Sequence, residues 1–481
     1  MSTSPPPIIW LGEPVLLAGL EDEGRVDYRS HLVVHGQMPA PMSAEELADL
    51  AENVNLRGRG GAGFPFARKL TAVVKSVARR KTRPVVVVNG TEGEPSCLKD
   101  RTLILRTPHL VVDGALLAAT AINAERVVIG VTRTDTEESL RRALAERRSL
   151  KPPVTVTRLP ERFVSGEGSS LARGITSGIA LPRGGGVRTS DSGVGGAPTL
   201  LSNAETYAQL AVAARRGALG YREVGLPDEP GTVMLTIAGA TVVETPTGVP
   251  LSGVLSVCDL EIGQGVLTGG YHGKWLTPEA AYSAVISRQS FQSLGGGLGA
   301  GAILPLPETT CPLREVVRIS QWMADETAGQ CGPCYLGLPA LTKAVEELVR
   351  GGGQPALDTV YSRMRAVTGR GACSHPDAAS RFVASALSVF NEDLVLHSYQ
   401  GGCGRPCQNI LPLPEMESAG TIIVDWTLCE AHGLCTGVLP DVIQLGADGF
   451  PAAGSMPVPA QLLSQAARAV DRCPALALRI Q

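Results

Sequence analysis

The 481-residue chain lacks an excess of charge of either sign: 43 lysines and arginines face 46 aspartates and glutamates, a formal net charge of −3. That balance excludes the broad basic surface that draws proteins to nucleic acid or anionic lipid, so partners have to be argued from particular sites. A long apolar run is also missing. The longest, Ala115 to Ala124, follows Asp113 and is closed by Glu125 and Arg126, too short to cross a bilayer, and no direct membrane insertion is expected. The opening residues Met1 to Pro7 have neither the basic start nor the apolar core of a signal peptide, and Glu21, Asp22 and Glu23 follow soon after; a cytoplasmic protein is expected. No internal repeat is found.

Cysteine is plentiful, but an even disulfide framework is not. Eleven cysteines, an odd number, crowd late in the chain at short spacings beside prolines, the pattern of metal or cluster ligands in a reducing compartment. Cys97, Cys258 and Cys311 stand apart from those spacings and read as small buried hydrophobes.

The length exceeds what one core usually serves, so several domains are expected. Ser43-Ala44-Glu45-Glu46 has the capping-box spacing and opens an amphipathic helix, and Val85 to Val88 is a short β-branched run suited to a buried strand. Val127 to Val131 and Val154 to Val156 repeat the strand signal around a charged helix from Thr136 to Arg148. That rhythm predicts an α/β layer structure. From Gly231 short β-prone runs, Thr232 to Ile237 and Val242-Val243, suggest a small β-rich domain. Leu313 to Gly351 and Ala378 to Leu396 carry apolar residues at helical spacing. Pro412 and Pro414 mark a linker before a last compact module. The expected division is an N-terminal extension over 1–40, an α/β domain over 41–228, a β-rich domain over 229–305, a helical bundle over 306–412 and a small α+β module over 418–481.

Gly58-Arg59-Gly60-Gly61-Ala62-Gly63 matches G-x-G-x-x-G, whose glycines let backbone N–H groups approach phosphate oxygens. A helical pattern precedes it where the dinucleotide fingerprint needs a strand, so the Rossmann label does not apply. Arg57, Arg59, Arg68 and Lys69 would complement a phosphate there, or form a solvated basic face. Beyond the Val85 to Val88 strand, Asn89-Gly90-Thr91-Glu92-Gly93-Glu94-Pro95 and Lys99-Asp100-Arg101 lie where open α/β sheets bind ligands, or make an acidic solvent loop.

Together these segments resemble the NADH-oxidising flavoprotein subunit of respiratory complex I and its relatives in soluble hydrogenases and formate dehydrogenases. The family's R-G-R-G-G-A-G-F-P stands here as Arg57 to Pro65, and its N-A-D-E-G-E-P with K-D-R as Asn89 to Pro95 with Lys99 to Arg101. Its Y-x-C-G-E-E-T appears as Phe163 to Ser169, and its P-T-x-V-N-N-V-E-T as Pro198 to Thr206. The resemblance runs over about residues 40 to 400 and implies a β-grasp-like middle domain. It also implies an FMN phosphate on Gly58, Arg59, Gly60 and Gly63 with Lys69. Flavin contacts would come from Asn89, Glu92, Gly166, Glu167, Ser202, Asn203 and Thr206, and Phe64 and Glu94 would face NADH or NADPH. Thr91 and Gly168 stand where the family has carboxylates, which would weaken NADH recognition or ease entry of the more anionic NADPH.

The family's E-S-C-G-x-C-x-P-C appears as Glu326 to Cys334, with Cys373 as the distant fourth cysteine and Ala328 in place of the first. Three thiolates, Cys331, Cys334 and Cys373, are left where four hold a 4Fe-4S cubane. A 3Fe-4S cluster, a fourth ligand from Cys403 or Cys407, and loss of the cluster are all open; Cys403 and Cys407 are also a candidate metal pair of their own. The segment from about 420 to 481 resembles the single-cluster ferredoxins that feed haem-thiolate monooxygenases. It carries Cys429-x-x-His432-x-x-Cys435 and a remote Cys473-Pro474. That implies a 3Fe-4S cluster on Cys429, Cys435 and Cys473, with His432 idle or holding a fourth iron. The rival is zinc on the three cysteines and His432.

The expected function is an oxidoreductase that passes electrons from NAD(P)H through FMN to iron-sulfur clusters and an acceptor protein, either a 2Fe-2S subunit or a haem-thiolate monooxygenase. The alternatives are a non-catalytic electron-transfer or assembly subunit with a decayed nucleotide site, and a zinc-binding interaction protein.

Overall fold

The structure is a computed structural model that describes residues 6–20, 24–414, 418–440, 442–459 and 462–481. The first five residues and Glu21 to Glu23 therefore lie outside the described residues. The chain divides into two compact units, Ser2–Leu413 and Pro414–Gln481.

In the large unit a four-stranded, all-parallel sheet runs in the order Val154–Arg158, Arg126–Val131, Val85–Asn89, Thr199–Asn203. Val85 to Val88 is buried on both faces, which accounts for its unbroken β-branched sequence. The helices Pro108–Ala121 and Ala204–Tyr221 belong to the core on one face, around Leu110, Val111 and Tyr207. On the other face Leu171 and Ala172 of the helix Gly168–Ser177 pack with Val85, Val87 and Val128. The capping box at Ser43 forms: its hydroxyl accepts from the Glu46 amide at 3.1 Å, and the Glu46 carboxylate accepts from the Ser43 amide at 2.7 Å. The charged helix begins and ends slightly earlier than its pattern suggested, at Thr134–Ala145.

The second sheet has six strands. Its order after the first strand is Thr241–Pro246, Thr232–Ile237, Ala302–Leu306, Gly265–Thr268, Lys274–Leu276, with Ala302–Leu306 central and parallel to Thr232–Ile237. First and last strands side by side, with the short helix Leu251–Ser256 between the hairpins, is a β-grasp arrangement. Ile8–Trp10, from the expected extension, adds a parallel edge strand against Val242 to Glu244.

Helices Pro312–Asp325, Leu338–Val349, Gly353–Val367, His375–Val389 and Asn391–Gln400 complete the large unit around one core. The third was not expected. Its stripe of Ala356, Val360, Met364 and Val367 is buried, but three glycines and Pro355 at its start disguise it. Among the described residues no single helix is long and apolar enough to cross a membrane; the helices Lys99–Arg106 and Pro108–Ala121 meet at a bend of 95° and are largely buried.

The small unit has an antiparallel sheet of Ser455–Pro459, Ser418–Val424 and Leu478–Ile480. Ile422, Val458, Ala466 and Ala469 lie in its core, the last two on the helix Leu463–Asp471.

Candidate functional site

The strand register sets Asn89 directly beside Asn203, at the carboxyl ends of a central strand and the edge strand next to it. A cleft of about 610 Å³ opens there, within the range of small-molecule sites. Gly60, Asn89, Glu92, Glu94, Gly166, Glu167 and Asn203 all line it. Gly58, Arg59, Gly63, Phe64, Lys69, Ser202 and Thr206 are not on its lining, and several of them brace it. The Arg59 amide donates to Thr206 Oγ1 at 2.9 Å and the Gly58 amide to the Phe64 carbonyl at 2.9 Å, folding the glycine loop back on itself. Gly61 (φ 118°) and Gly63 (φ 60°) occupy backbone regions that only glycine adopts readily.

Two of the expected cations point elsewhere. The Arg59 side chain is buried with its Nε 3.8 Å from Glu205 Oε1, and Lys69 Nζ donates to the Leu201 carbonyl at 2.7 Å. Burial lowers the Lys69 ammonium from its ordinary value. The loop lines the cleft through Gly60, Gly61 and Ala62, while these two side chains are held by protein partners.

The acidic residues are held rather than loose. Glu92 accepts from the Asp100 and Arg101 amides at 2.9 and 3.0 Å, capping the helix Lys99–Arg106, while burial and then the neighbouring Asp100 charge push its carboxyl up to about 8. Glu94 is pushed up to about 7 by burial; its Oε1 accepts from the Tyr271 amide at 2.6 Å and from the Ser96 hydroxyl. Asn89 donates to the Gly166 carbonyl at 2.8 Å and accepts from the Thr91 hydroxyl at 2.6 Å. Thr91, where a carboxylate was expected, thus closes a local turn. Glu167 caps the helix Gly168–Ser177 by accepting from the Ser170 amide at 2.9 Å. A Cβ on Gly168 would meet nothing within 4 Å, so the missing carboxylate leaves open space in the cleft wall.

Behind these groups Lys99 is fully buried and paired with Glu205 at 2.8 Å and Asp100 at 3.0 Å. Asn203 donates to Asp100 at 2.5 Å. The Lys99-Asp100 pair is the inner skeleton of the cleft.

Sequence reasoning missed the opposite wall. It comprises Gly269, His272, Lys274, Gly296, Gly297 and Ala300 from the β-grasp region and His375 and Arg381 from the helices. No spacing signal links these residues; tertiary structure alone gathers them. His272 Nε2 lies 2.8 Å from His375 Nδ1, and His375 Nε2 lies 2.8 Å from the Met323 carbonyl. A carbonyl only accepts, so His375 carries its proton on Nε2, and its Nδ1 accepts a hydrogen bond from His272 Nε2. Burial holds both rings below the ordinary histidine value. Phe163 meets His272 edge-on at 4.6 Å and Trp322 at 5.2 Å.

Cys373 lines the same cleft, and its charge bears on Cys334, whose Sγ lies 3.6 Å from Cys331. The three expected cysteines therefore come together. Burial opposes ionisation of Cys331, but amides of Ala372 and Cys334 lower its thiol, whereas burial pushes Cys334 up to about 12. Ala328 offers its backbone amide to Cys334 in place of a thiolate. The two candidate fourth ligands are gathered elsewhere: Cys403 beside Cys311 and His397, and Cys407 Sγ 3.5 Å from Glu315 Oε1. Cys97 and Cys311 are buried, as expected of small hydrophobes, and Cys258 is only partly buried. Cys311 is buried 3.2 Å from a histidine nitrogen, and Cys97 lines the cleft.

In the small unit Cys429, Cys435 and Cys473 ring a hollow that His432 also lines. Their sulfurs surround the space rather than converge on one point, and the Ala477 amide donates to Cys473 Sγ at 3.3 Å, arrangements that suit a polynuclear cluster better than one zinc ion. The His432 side chain is 42% exposed and 3.7 Å from Glu430, a weak hold for a ligand.

The Nuo51 FMN-binding domain matches residues 51–212, the NADH-ubiquinone oxidoreductase-F iron-sulfur binding region residues 314–397, and a 4Fe-4S single cluster domain residues 422–480. The NADH-quinone oxidoreductase F 2 subunit of Rhizobium meliloti is 26% identical over 387 residues, covering 75% of this chain and 90% of its own. The mitochondrial NADH dehydrogenase [ubiquinone] flavoprotein 1 of Dictyostelium discoideum is 28% identical over 365 residues, covering 70% and 76%. An NAD+-reducing [NiFe]-hydrogenase in the H2-reduced state shares the fold at a TM-score of 0.63 and 24% identity; the alignment covers 73% of this chain and 62% of the hydrogenase chain. The chain therefore carries, in order, a region similar to the Nuo51 FMN-binding domain, one similar to the NADH-ubiquinone oxidoreductase-F iron-sulfur binding region and one similar to a 4Fe-4S single cluster domain.

Proposed function

We propose that the chain oxidises a nicotinamide nucleotide in the cleft at the sheet's carboxyl edge and passes the electrons one at a time to iron-sulfur centres and then to a partner protein. The observation that carries this is a shared wall: the glycine loop, Asn89, Glu94 and Asn203 line one cleft together with Cys373 of the three-thiolate site. The residues fit FMN. The cleft has the volume, and its walls are rich in glycine. Bound FMN would supply hydride acceptance from the nicotinamide and release of single electrons.

The protein's part is position and electrostatics. Gly60, Gly61 and Ala62 would hold the phosphate, Asn89, Gly166, Glu167 and Asn203 the ring and ribityl edge, with Glu92, Ser202 and Thr206 fixing the backbone around them. Glu94 and the exposed Phe64 would meet the nucleotide. Arg381 and Lys274 on the opposite wall add positive charge for its phosphates. Phe163, His272 and His375 exclude water from that wall, and the neutral imidazoles add no charge there. Cys331, Cys334 and Cys373 would hold a cluster of three-thiolate type, and Cys429, Cys435 and Cys473 a second in the fused module. The acceptor is then a one-electron protein such as a 2Fe-2S subunit; a haem-thiolate monooxygenase rests on the ferredoxin resemblance alone.

A diaphorase assay tests the reading. FMN-loaded protein should reduce ferricyanide with NADH or NADPH, and failure with both would favour the non-catalytic alternative that Thr91, Gly168 and Ala328 first suggested.

A further inference from the structure

Among the described residues, one group of three metal-ligating side chains has all its ligand atoms within 4.8 Å of one another: Cys311, His397 and Cys403. It lies outside the cleft; the sequence offered Cys403 and Cys407 as a metal pair, but no spacing joins Cys311 or His397 to them. Cys311 precedes the helix Pro312–Asp325, His397 sits in the last turn of Asn391–Gln400, and Cys403 follows in the next loop. We propose that these residues bind a structural zinc ion, with Cys407 of the same loop as the fourth ligand.

The histidine is already oriented for a metal. Its Nδ1 lies 2.6 Å from the Val349 carbonyl, which only accepts, so Nδ1 carries the proton and Nε2 presents a lone pair. Metal-bound histidines are held in this way by a hydrogen bond from the other ring nitrogen. That lone pair faces Cys311 Sγ at 3.2 Å. The edge of a tetrahedral zinc site with sulfur and nitrogen ligands is roughly 3.5–3.8 Å, so this pair needs only a small adjustment, and Cys403 Sγ already lies within 4.8 Å of both. Cys311 and His397 are buried at 0% and 1% exposure and Cys403 and Cys407 are partly buried; four protein ligands would leave no open position for a substrate. A closed site of mixed cysteine and histidine ligands selects zinc.

The loop is latched around the proposed ion. The Cys311 amide donates to the Pro406 carbonyl at 2.8 Å, and the Gln408 amide to Thr310 Oγ1 at 3.0 Å. Arg405 pairs with Asp393 and donates to Gln264 Oε1 at 3.0 Å. Cys407, four residues beyond Cys403, follows Pro406 in that latch; its thiol donates to Glu315 Oε1 at 3.5 Å and would turn from that carboxylate to complete the site. On binding, the three thiols lose their protons to solvent and Zn²⁺ takes three thiolates and one neutral imidazole. The ion would tie the end of the helical region, residues 401–412, to the start of its first helix. This inference stands independently of the nucleotide reading.

The experiment is metal analysis and zinc K-edge absorption spectroscopy on the full-length chain, purified anaerobically with its iron loaded. Wild type should hold about one zinc per chain with sulfur at roughly 2.3 Å. Cys403→Ser and His397→Gln should lose the zinc and keep FMN and iron, whereas Cys331→Ser and Cys435→Ser should lose iron and keep the zinc. Iron-loaded wild type without zinc overturns the proposal even if no variant folds. So does zinc retained in full by both Cys403→Ser and His397→Gln, or loss of iron instead of zinc from Cys403→Ser.

Discussion

Replacing Glu94 by glutamine should stabilise the protein at neutral pH and do little in acid. Both hydrogen bonds to this buried carboxyl, from the Tyr271 amide and the Ser96 hydroxyl, fall on Oε1, which an amide oxygen reproduces. Burial pushes the folded carboxyl up to about 7 from an ordinary 4.5. Between those values the folded state keeps a proton that the unfolded chain has released, so stability falls as pH rises from 4.5 to 7 and is level above. A shift of that size corresponds to about 3 kcal/mol. The variant has no such group. Its advantage should be near zero at pH 4.5, about 1 kcal/mol at pH 5.5 and about 3 kcal/mol from pH 7 upward. Denaturation midpoints of the two proteins, measured side by side over that range, isolate the one group because every other titration cancels. A difference that does not change with pH, or a variant less stable throughout, would refute the reasoning.

Lys99→Met would leave Asp100 buried without its cation and Glu205 with Arg59 alone at 3.8 Å, and a loss of about 3–5 kcal/mol is expected in urea denaturation. Gly93→Ala would set a Cβ 2.7 Å from the Arg162 carbonyl and 2.8 Å from Phe163 Cα; it should force the cleft wall apart, costing about 1–3 kcal/mol and weakening FMN retention on gel filtration. Gly168→Glu enters open space and should raise the preference for NADH over NADPH several-fold, and an unchanged ratio counts against an electrostatic role there. Ala328→Cys restores a fourth thiolate and should add about one iron per chain with a changed EPR signal.

Much of this architecture was legible in the sequence because it depends on local chemistry. The Val85 to Val88 run could be little other than a buried strand, and Ser43 with Glu46 announced a helix start. The glycine loop and the segment from Asn89 to Pro95 named one side of the cleft. The other side was not legible, because Gly269, His272, His375 and Arg381 are far apart in sequence and meet only through packing. Arg59 and Lys69 sit beside the loop in sequence, and their contacts with Glu205 and the Leu201 carbonyl are a matter of packing that no spacing announces. Cys311 carried no spacing signal at all, since its partner His397 lies on another helix.

The most direct measurement is an anaerobic titration of FMN-loaded protein with NADH and, separately, NADPH, following flavin absorbance and low-temperature EPR together. The account predicts bleaching of the flavin by at least one nucleotide, with reduced cluster signals appearing in step. A flavin that binds yet is reduced by neither nucleotide, or that bleaches while every cluster stays oxidised, would contradict it.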